Sequence, residues 1–188
     1  LDAVVRAKEI NIPVLAAWVD KGYDIVTPIP SCTLMYKQEL PLMFPDDEAV
    51  RKVQAAMYDP FEYLMLRHKD GKLKTDFAQS LGKVSYQVPC HLRVQNIGLK
   101  TRDVLQLVPD TSVEAIERCS GHDGTYAVKK EFHDISKKIA RPVVNKVKKS
   151  GADHFVSDCP MASDQIAQDL DDYSAGHPMS LLRKAYGI

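Results

Sequence analysis

The stretch Lys83-Val84-Ser85-Tyr86-Gln87-Val88-Pro89-Cys90-His91 reads as a β-strand running into a turn that carries a thiol. Residues 84–88 form a short apolar-rich run bounded by a proline, the pattern of a buried strand. Pro89 has no N–H to give to a ladder, so the chain leaves the sheet there and presents Cys90 just past its edge. The same order recurs along the chain. The run at 23–29 is followed by Cys32, that at 113–116 by Cys119, and that at 154–157 by Cys159. A helical pattern follows each cysteine. Strands alternating with helices predict an α/β fold, a parallel sheet with helices on both faces. In such a sheet the segments past the C-terminal strand ends share one edge, and ligands bind there. Cysteines far apart in the chain thereby become candidates for one or two metal sites.

Bulk properties narrow the classes. The chain has 188 residues, 45% of them hydrophobic, enough for one sizeable core or two small lobes. Lys and Arg number 25, as do Asp and Glu, so no global field favours nucleic acid or an anionic membrane. No apolar stretch approaches the roughly 20 residues a membrane span needs. Nor does a signal peptide show. Four cysteines are too sparse for a disulfide scaffold. The expectation is a cytoplasmic protein whose spaced thiols serve metal or redox chemistry. The chain opens without Met and in helical pattern, which is expected of a piece of a longer protein.

Residues 2–21 carry Val4, Val5, Ile10, Leu15, Trp18 and Val19 at helical spacing, and Gly22 is a stop signal. Ser31 or Thr33 is a candidate cap for a helix over 34–44 that Pro41 kinks or shortens. Helices are predicted over 47–57 and from Asp59-Pro60, with Asp59 capping and Pro60 in the first turn. The polar stretch from 68 to 82 suggests a boundary. We therefore divide the chain into residues 1–70 (the end of a first lobe), a linker over 71–82, and a second lobe over 83–188. In the second lobe, helices are expected at 100–107, from 126 to about 149 with a break at Arg141-Pro142, at 161–170, and at 178–186.

Thiolate is the metal-binding form of cysteine, and a helix N-terminus favours it. Cys32, Cys119 and Cys159 all precede predicted helices closely. Gly121 and Gly124 remove bulk beside Cys119, so that backbone N–H groups can approach a sulfur anion. His91 and His122 adjoin two of the thiols and are candidate ligands or supports for them. Free cysteine is also among the most buried residue types, and each one alone reads equally well as a small core hydrophobe. The lysines from 129 to 149 read as a solvated helix face. The Gly121–Gly124 loop lacks the lysine of a phosphate loop.

Taken as a set, Pro30-Ser31-Cys32-Thr33-Leu34-Met35, Pro89-Cys90-His91, Cys119-Ser120-Gly121-His122 and Asp158-Cys159-Pro160 resemble the cysteine-rich CCG-domain iron–sulfur proteins. That family includes electron-transfer subunits of anaerobic glycerol-3-phosphate dehydrogenase and of heterodisulfide reductase. The resemblance extends over nearly the whole chain. It implies two pseudo-repeated cysteine-rich lobes, the first incomplete here, with Cys32 its last cysteine. Cys90, Cys119 and Cys159 fall to the second lobe. It also implies an iron–sulfur cluster passing electrons between a flavoprotein dehydrogenase or other redox subunit and a quinone or thiol acceptor. Peripheral membrane association, at the inner face, would come through such a partner.

Two family thiols are replaced here, by Ser120 and Ala162. A five-thiolate site is thereby put aside in favour of a [4Fe-4S] cubane on Cys90, Cys119 and Cys159, with Cys32, His91, His122 or an outside group as the fourth ligand. The alternatives are a zinc-binding or metal-free interaction module on the same residues, and a thiol–disulfide enzyme using Cys119 or Cys159.

Overall fold

A computed structural model of the protein describes residues 1–122 and 127–188. The chain forms two compact units, Leu1–Tyr63 and Leu64–Ile188. Each contains its own parallel sheet, so the α/β class read from the strand–helix alternation holds.

The first unit opens with α1 (Asp2–Val19), followed by β1 (Ile25–Val26), α2 (Pro30–Leu34), a π-helical turn (Met35–Glu39), α3 (Leu40–Met43), α4 (Glu48–Ala55) and β2 (Met57–Tyr58). β1 and β2 pair in parallel, Ile25 with Met57 and Val26 with Tyr58. α1 packs on α4 around Ile12, Ala16, Leu40, Val50, Val53 and Met57. The buried stripe of α1 is thus Ile12 and Ala16, while Ile10 and Trp18, expected on that stripe, are exposed. Only two of the residues at 23–29 form ladder. Pro28 and Pro30 lack the N–H, and the Tyr23 N–H is taken by the Trp18 carbonyl at 3.2 Å in the turn after Gly22 (φ +85°).

The helix expected over 34–44 starts earlier and changes pitch. α2 begins at Pro30 with no side-chain cap, and the Thr33 hydroxyl instead reaches back to the Thr27 carbonyl at 3.1 Å. Pro41 has no N–H for the Lys37 carbonyl four residues before it. The Gln54 side-chain amide on α4 donates to that carbonyl at 2.7 Å, and the chain passes through a π turn. Asp47 caps α4, accepting from the Ala49 and Val50 N–H groups at 3.1 Å each. Asp59 likewise accepts from the Phe61 N–H at 2.9 Å, as its position before Pro60 predicts.

α5 (Pro60–Lys69) crosses from the first unit into the second. The second continues with β3 (Gly82–Gln87), α6 (Cys90–Arg93), α7 (Lys100–Leu105), β4 (Thr111–Ile116), a 3₁₀ turn (Lys130–Phe132), α8 (His133–Ser150), β5 (His154–Ser157), α9 (Pro160–Ala167) and α10 (Pro178–Ala185). Its sheet has the order β4-β3-β5, all parallel. Gln87 pairs with Ile116 on one side and Ser157 on the other, so all three strands end level.

Helices cover both faces. Residues paired across a ladder point the same way. Ile116 and Phe155 therefore share the face of Ser85 and Gln87, and they pack with Ala140, Val143, Val144 and Val147 of α8. Tyr86 points to the other face, towards Thr101 of α7 through Asp158. α8 runs unbroken through Pro142, contrary to the break expected there. The four buried apolar residues lie on one stripe, and the carbonyl freed by Pro142 belongs to exposed Lys138, where water can reach it. The predicted helix start at Tyr126 and the role given to Gly124 lie outside the described residues.

Candidate functional site

All four cysteines are free; Cys32, Cys90 and Cys119 are exposed and Cys159 is half-buried. None is a core hydrophobe. The level strand ends of the second unit explain three of them. Val88-Pro89 leads β3 out of the sheet, and Cys90 opens α6. Glu117 and Arg118 carry β4 to Cys119. Asp158 follows β5, and Cys159 caps α9 ahead of Pro160. Cys32 belongs to the first unit, inside the single turn of α2.

The turn at Cys119 is built around Gly121. Its N–H points at the Cys119 Sγ, 3.4 Å away. Its φ of +77° suits glycine, and a Cβ there would collide with the Ser136 carbonyl oxygen on α8. The Ser136 hydroxyl in turn donates to the Gly121 carbonyl at 2.8 Å. The loop is thus clamped to α8 with a backbone donor facing sulfur, as the glycine beside the thiol predicts. No helix follows Cys119 directly among the described residues. The next helical turn starts at Lys130, so the placement expected ahead of a helix is not found there.

Beneath Cys159 lies a buried carboxyl whose importance the Asp158-Cys159-Pro160 motif does not reveal. Asp158 is 2% exposed. Its Oδ2 accepts from the Tyr86 hydroxyl and its Oδ1 from the Thr101 hydroxyl at 2.8 Å. Burial pushes its pKa up to about 6, against the pull of those two hydroxyls. The Asp158 carbonyl faces His177 Nε2 at 3.2 Å. His177 Nδ1 accepts the Met179 N–H at the start of α10, so the ring proton sits on Nε2 and is donated to Asp158. Tyr86, Thr101 and His177 carried no signal in the sequence, because their partner is 19 to 72 residues away.

His91 is exposed and His122 half-buried. The His91 carbonyl accepts from Gln95, and the His122 N–H donates to the Ser120 hydroxyl at 3.3 Å. Ser120 and Ala162, the two replaced thiols, are both buried, at 6% and 4% exposure. An open cleft of about 800 Å³ borders Cys90, lined also by Val88, Leu92, Leu99 and the ion pair between Arg93 and Glu117.

Among the described residues, no three His, Cys, Asp or Glu side chains converge closely enough to hold a metal ion. In kind, the donors suit an iron–sulfur group. They are soft free thiols at three neighbouring strand ends, two exposed and one half-buried, one with a backbone N–H already facing its sulfur.

Fold and site together define a cysteine-rich α/β domain. Residues 84–166, which hold Cys90, Cys119 and Cys159, match the family described as CCG, a cysteine-rich domain, and so the resemblance carried by the thiol-bearing turns holds. The chain is also 29% identical over 168 residues to the C subunit of anaerobic glycerol-3-phosphate dehydrogenase from Escherichia coli strain K12. The same protein of Escherichia coli O157:H7 matches to the same extent. Each alignment covers 88% of this chain and 41% of the relative, so the chain spans about two fifths of the length of these curated relatives.

Proposed function

We propose that this chain is an iron–sulfur electron-transfer subunit, with Cys90, Cys119 and Cys159 as thiolate ligands and His91, His122 or an outside group as candidates for the remaining position. The observation that carries this reading is the placement of three free thiols, two exposed and one half-buried, past the level ends of β4, β3 and β5, inside the stretch that matches the cysteine-rich family. The likeness to a dehydrogenase subunit supports the redox role. A cluster, [4Fe-4S] in this proposal, supplies one-electron chemistry when bound.

The chain's own residues supply the rest. Gly121 aims its N–H at a ligand sulfur, which favours the thiolate and tunes a bound centre. Asp158, Tyr86 and His177 hold the backbone under Cys159. The cleft beside Cys90 leaves that thiol open to an approaching redox partner. That partner is a flavoprotein dehydrogenase or similar subunit, with a quinone or thiol as the far acceptor. None of the described helices is long and apolar enough to cross a membrane. A cytoplasmic place, at the inner membrane face through a partner, is part of the proposal.

Iron and acid-labile sulfide are to be assayed on anaerobically purified or reconstituted protein. Both elements, lost together on Cys119→Ser, are the expected result. Colourless protein without either would sink the reading. A zinc-binding module of the same fold is the second reading. It is favoured by the replacement of two thiols by buried Ser120 and Ala162, which leaves three thiols in the second unit, with His91 or His122 available as a fourth ligand. One zinc and no iron would decide for it.

A further inference from the structure

Gln87 is the last residue of the central strand and is 1% exposed. A glutamine at the end of a strand otherwise bearing Val84 and Tyr86 is out of keeping with its buried place. Its side-chain amide is fully engaged with neighbours that belong to three different turns. The nitrogen donates to the Val88 carbonyl at 3.0 Å and to the Arg118 carbonyl at 3.0 Å. The oxygen accepts from the Ser157 hydroxyl at 2.7 Å. Two carbonyls can only accept, so the orientation of the amide follows from its partners. The Ser157 hydroxyl passes the contact on, because its oxygen accepts the Cys159 N–H at 3.3 Å.

The three partners stand in a fixed relation to the thiols. Val88 is two residues before Cys90, Arg118 is the residue before Cys119, and Ser157 is two residues before Cys159. One planar group on β3 thus touches the root of every thiol-bearing turn of the sheet. The strand ladder alone could not do this, since it ends at Gln87, Ile116 and Ser157. Beyond those pairs one backbone bond, from the Val88 N–H to the Ile116 carbonyl at 3.0 Å, still ties β3 to β4, and the side chains of Gln87 and Ser157 link the exits at Arg118 and Cys159.

We propose that Gln87, acting with Ser157, is a positioning residue that sets the mutual spacing of Cys90, Cys119 and Cys159. Its use in metal binding rests on the function proposed above, but the spacing itself does not. Burial gives the contact its strength. A primary amide shielded from water loses the full worth of each unmade bond, so the three turns are held to the geometry that satisfies it. A methionine at this position fills nearly the same space and offers neither donor.

The test uses the full chain, reduced and metal-free, with bifunctional maleimides of graded length and peptide mapping of the linked cysteines. In the parent protein each pair among Cys90, Cys119 and Cys159 is expected to link best with one short reagent. Gln87→Met should slow short-reagent linking of all three pairs about fivefold, the change that loss of one ordinary buried hydrogen bond carries, and spread linking over longer reagents. Ser157→Ala, a smaller change, should slow only the pairs that include Cys159 and leave Cys90–Cys119 unchanged. Far-UV circular dichroism selects folded variants. A folded Gln87→Met or Ser157→Ala protein with the parent's linking profile would overturn the proposal. Iron content is read separately. A changed profile in a chain that takes up no iron removes the iron–sulfur reading and leaves the positioning role standing.

Discussion

Tyr86 and Asp158, 72 residues apart in the chain, meet inside the second unit, the phenol donating to a carboxyl oxygen that is sealed from water. The contact joins the central strand to the turn that presents Cys159. Asp158 is held from two sides, since Thr101 on α7 donates to its other oxygen.

The buried carboxyl makes stability depend on pH. Its folded pKa, about 6, lies above the ordinary 3.8, so folding favours the protonated form. That stabilisation is complete below the ordinary value and is lost as pH rises through 6. The metal-free protein should therefore lose about 3 kcal/mol from this group as pH rises from about 3 to about 7, at about 1.4 kcal/mol for each pH unit separating the two values. Asp158→Asn should flatten that part of the curve. Urea midpoints across this range, compared between the two proteins, check it. Tyr86→Phe should extend the loss to higher pH, because the carboxylate then has one donor fewer and its pKa rises further.

Gly121→Ala should destabilise the chain by about 2 kcal/mol or more. The left-handed φ and the Ser136 carbonyl both exclude a Cβ. The loop must move off α8, and the N–H that faces the Cys119 sulfur moves with it. Thermal unfolding gives the first effect. Faster alkylation of Cys119 relative to Cys90 reports the second.

Asp47 caps α4 and pairs with Lys8 at 2.8 Å. The Lys8 contact first, and the Val50 N–H next, hold its pKa below the ordinary carboxylate value. Its contribution is present above that value and disappears as pH falls through the lowered one. Asp47→Ala should cost about 1 kcal/mol at pH 7, with the difference from the parent shrinking in acid. Chemical denaturation at pH 7 and below pH 4 measures both.

Ser85 shares the α8 side of the sheet with Gln87, but its buried hydroxyl has no hydrogen-bond partner among the described residues. Ser85→Ala removes an unpaired polar group, so stability should hold or rise by up to about 1 kcal/mol. A clear loss would show that a water or side chain satisfies the hydroxyl in solution.

Local chemistry alone was enough to find the parts. Prolines mark where β3 leaves the sheet and where α9 begins, because a missing N–H ends one kind of structure and suits the start of the other. The thiols sit where the strand-then-turn pattern puts them, and Asp47 and Asp59 cap as their spacing predicts. Those signals act over a few residues, so a linear reading captures them. The stripe on α1 and the unbroken run of α8 through Pro142 needed the neighbouring helices and sheet to choose which side is buried. The same holds for Gln87, Asp158, Thr101 and His177. Nothing near them in the chain reveals their roles, since the contacts that bind them together reach across the sheet or to a distant turn. Long-range burial sets their worth, and it exists only once the strands have been brought level in space.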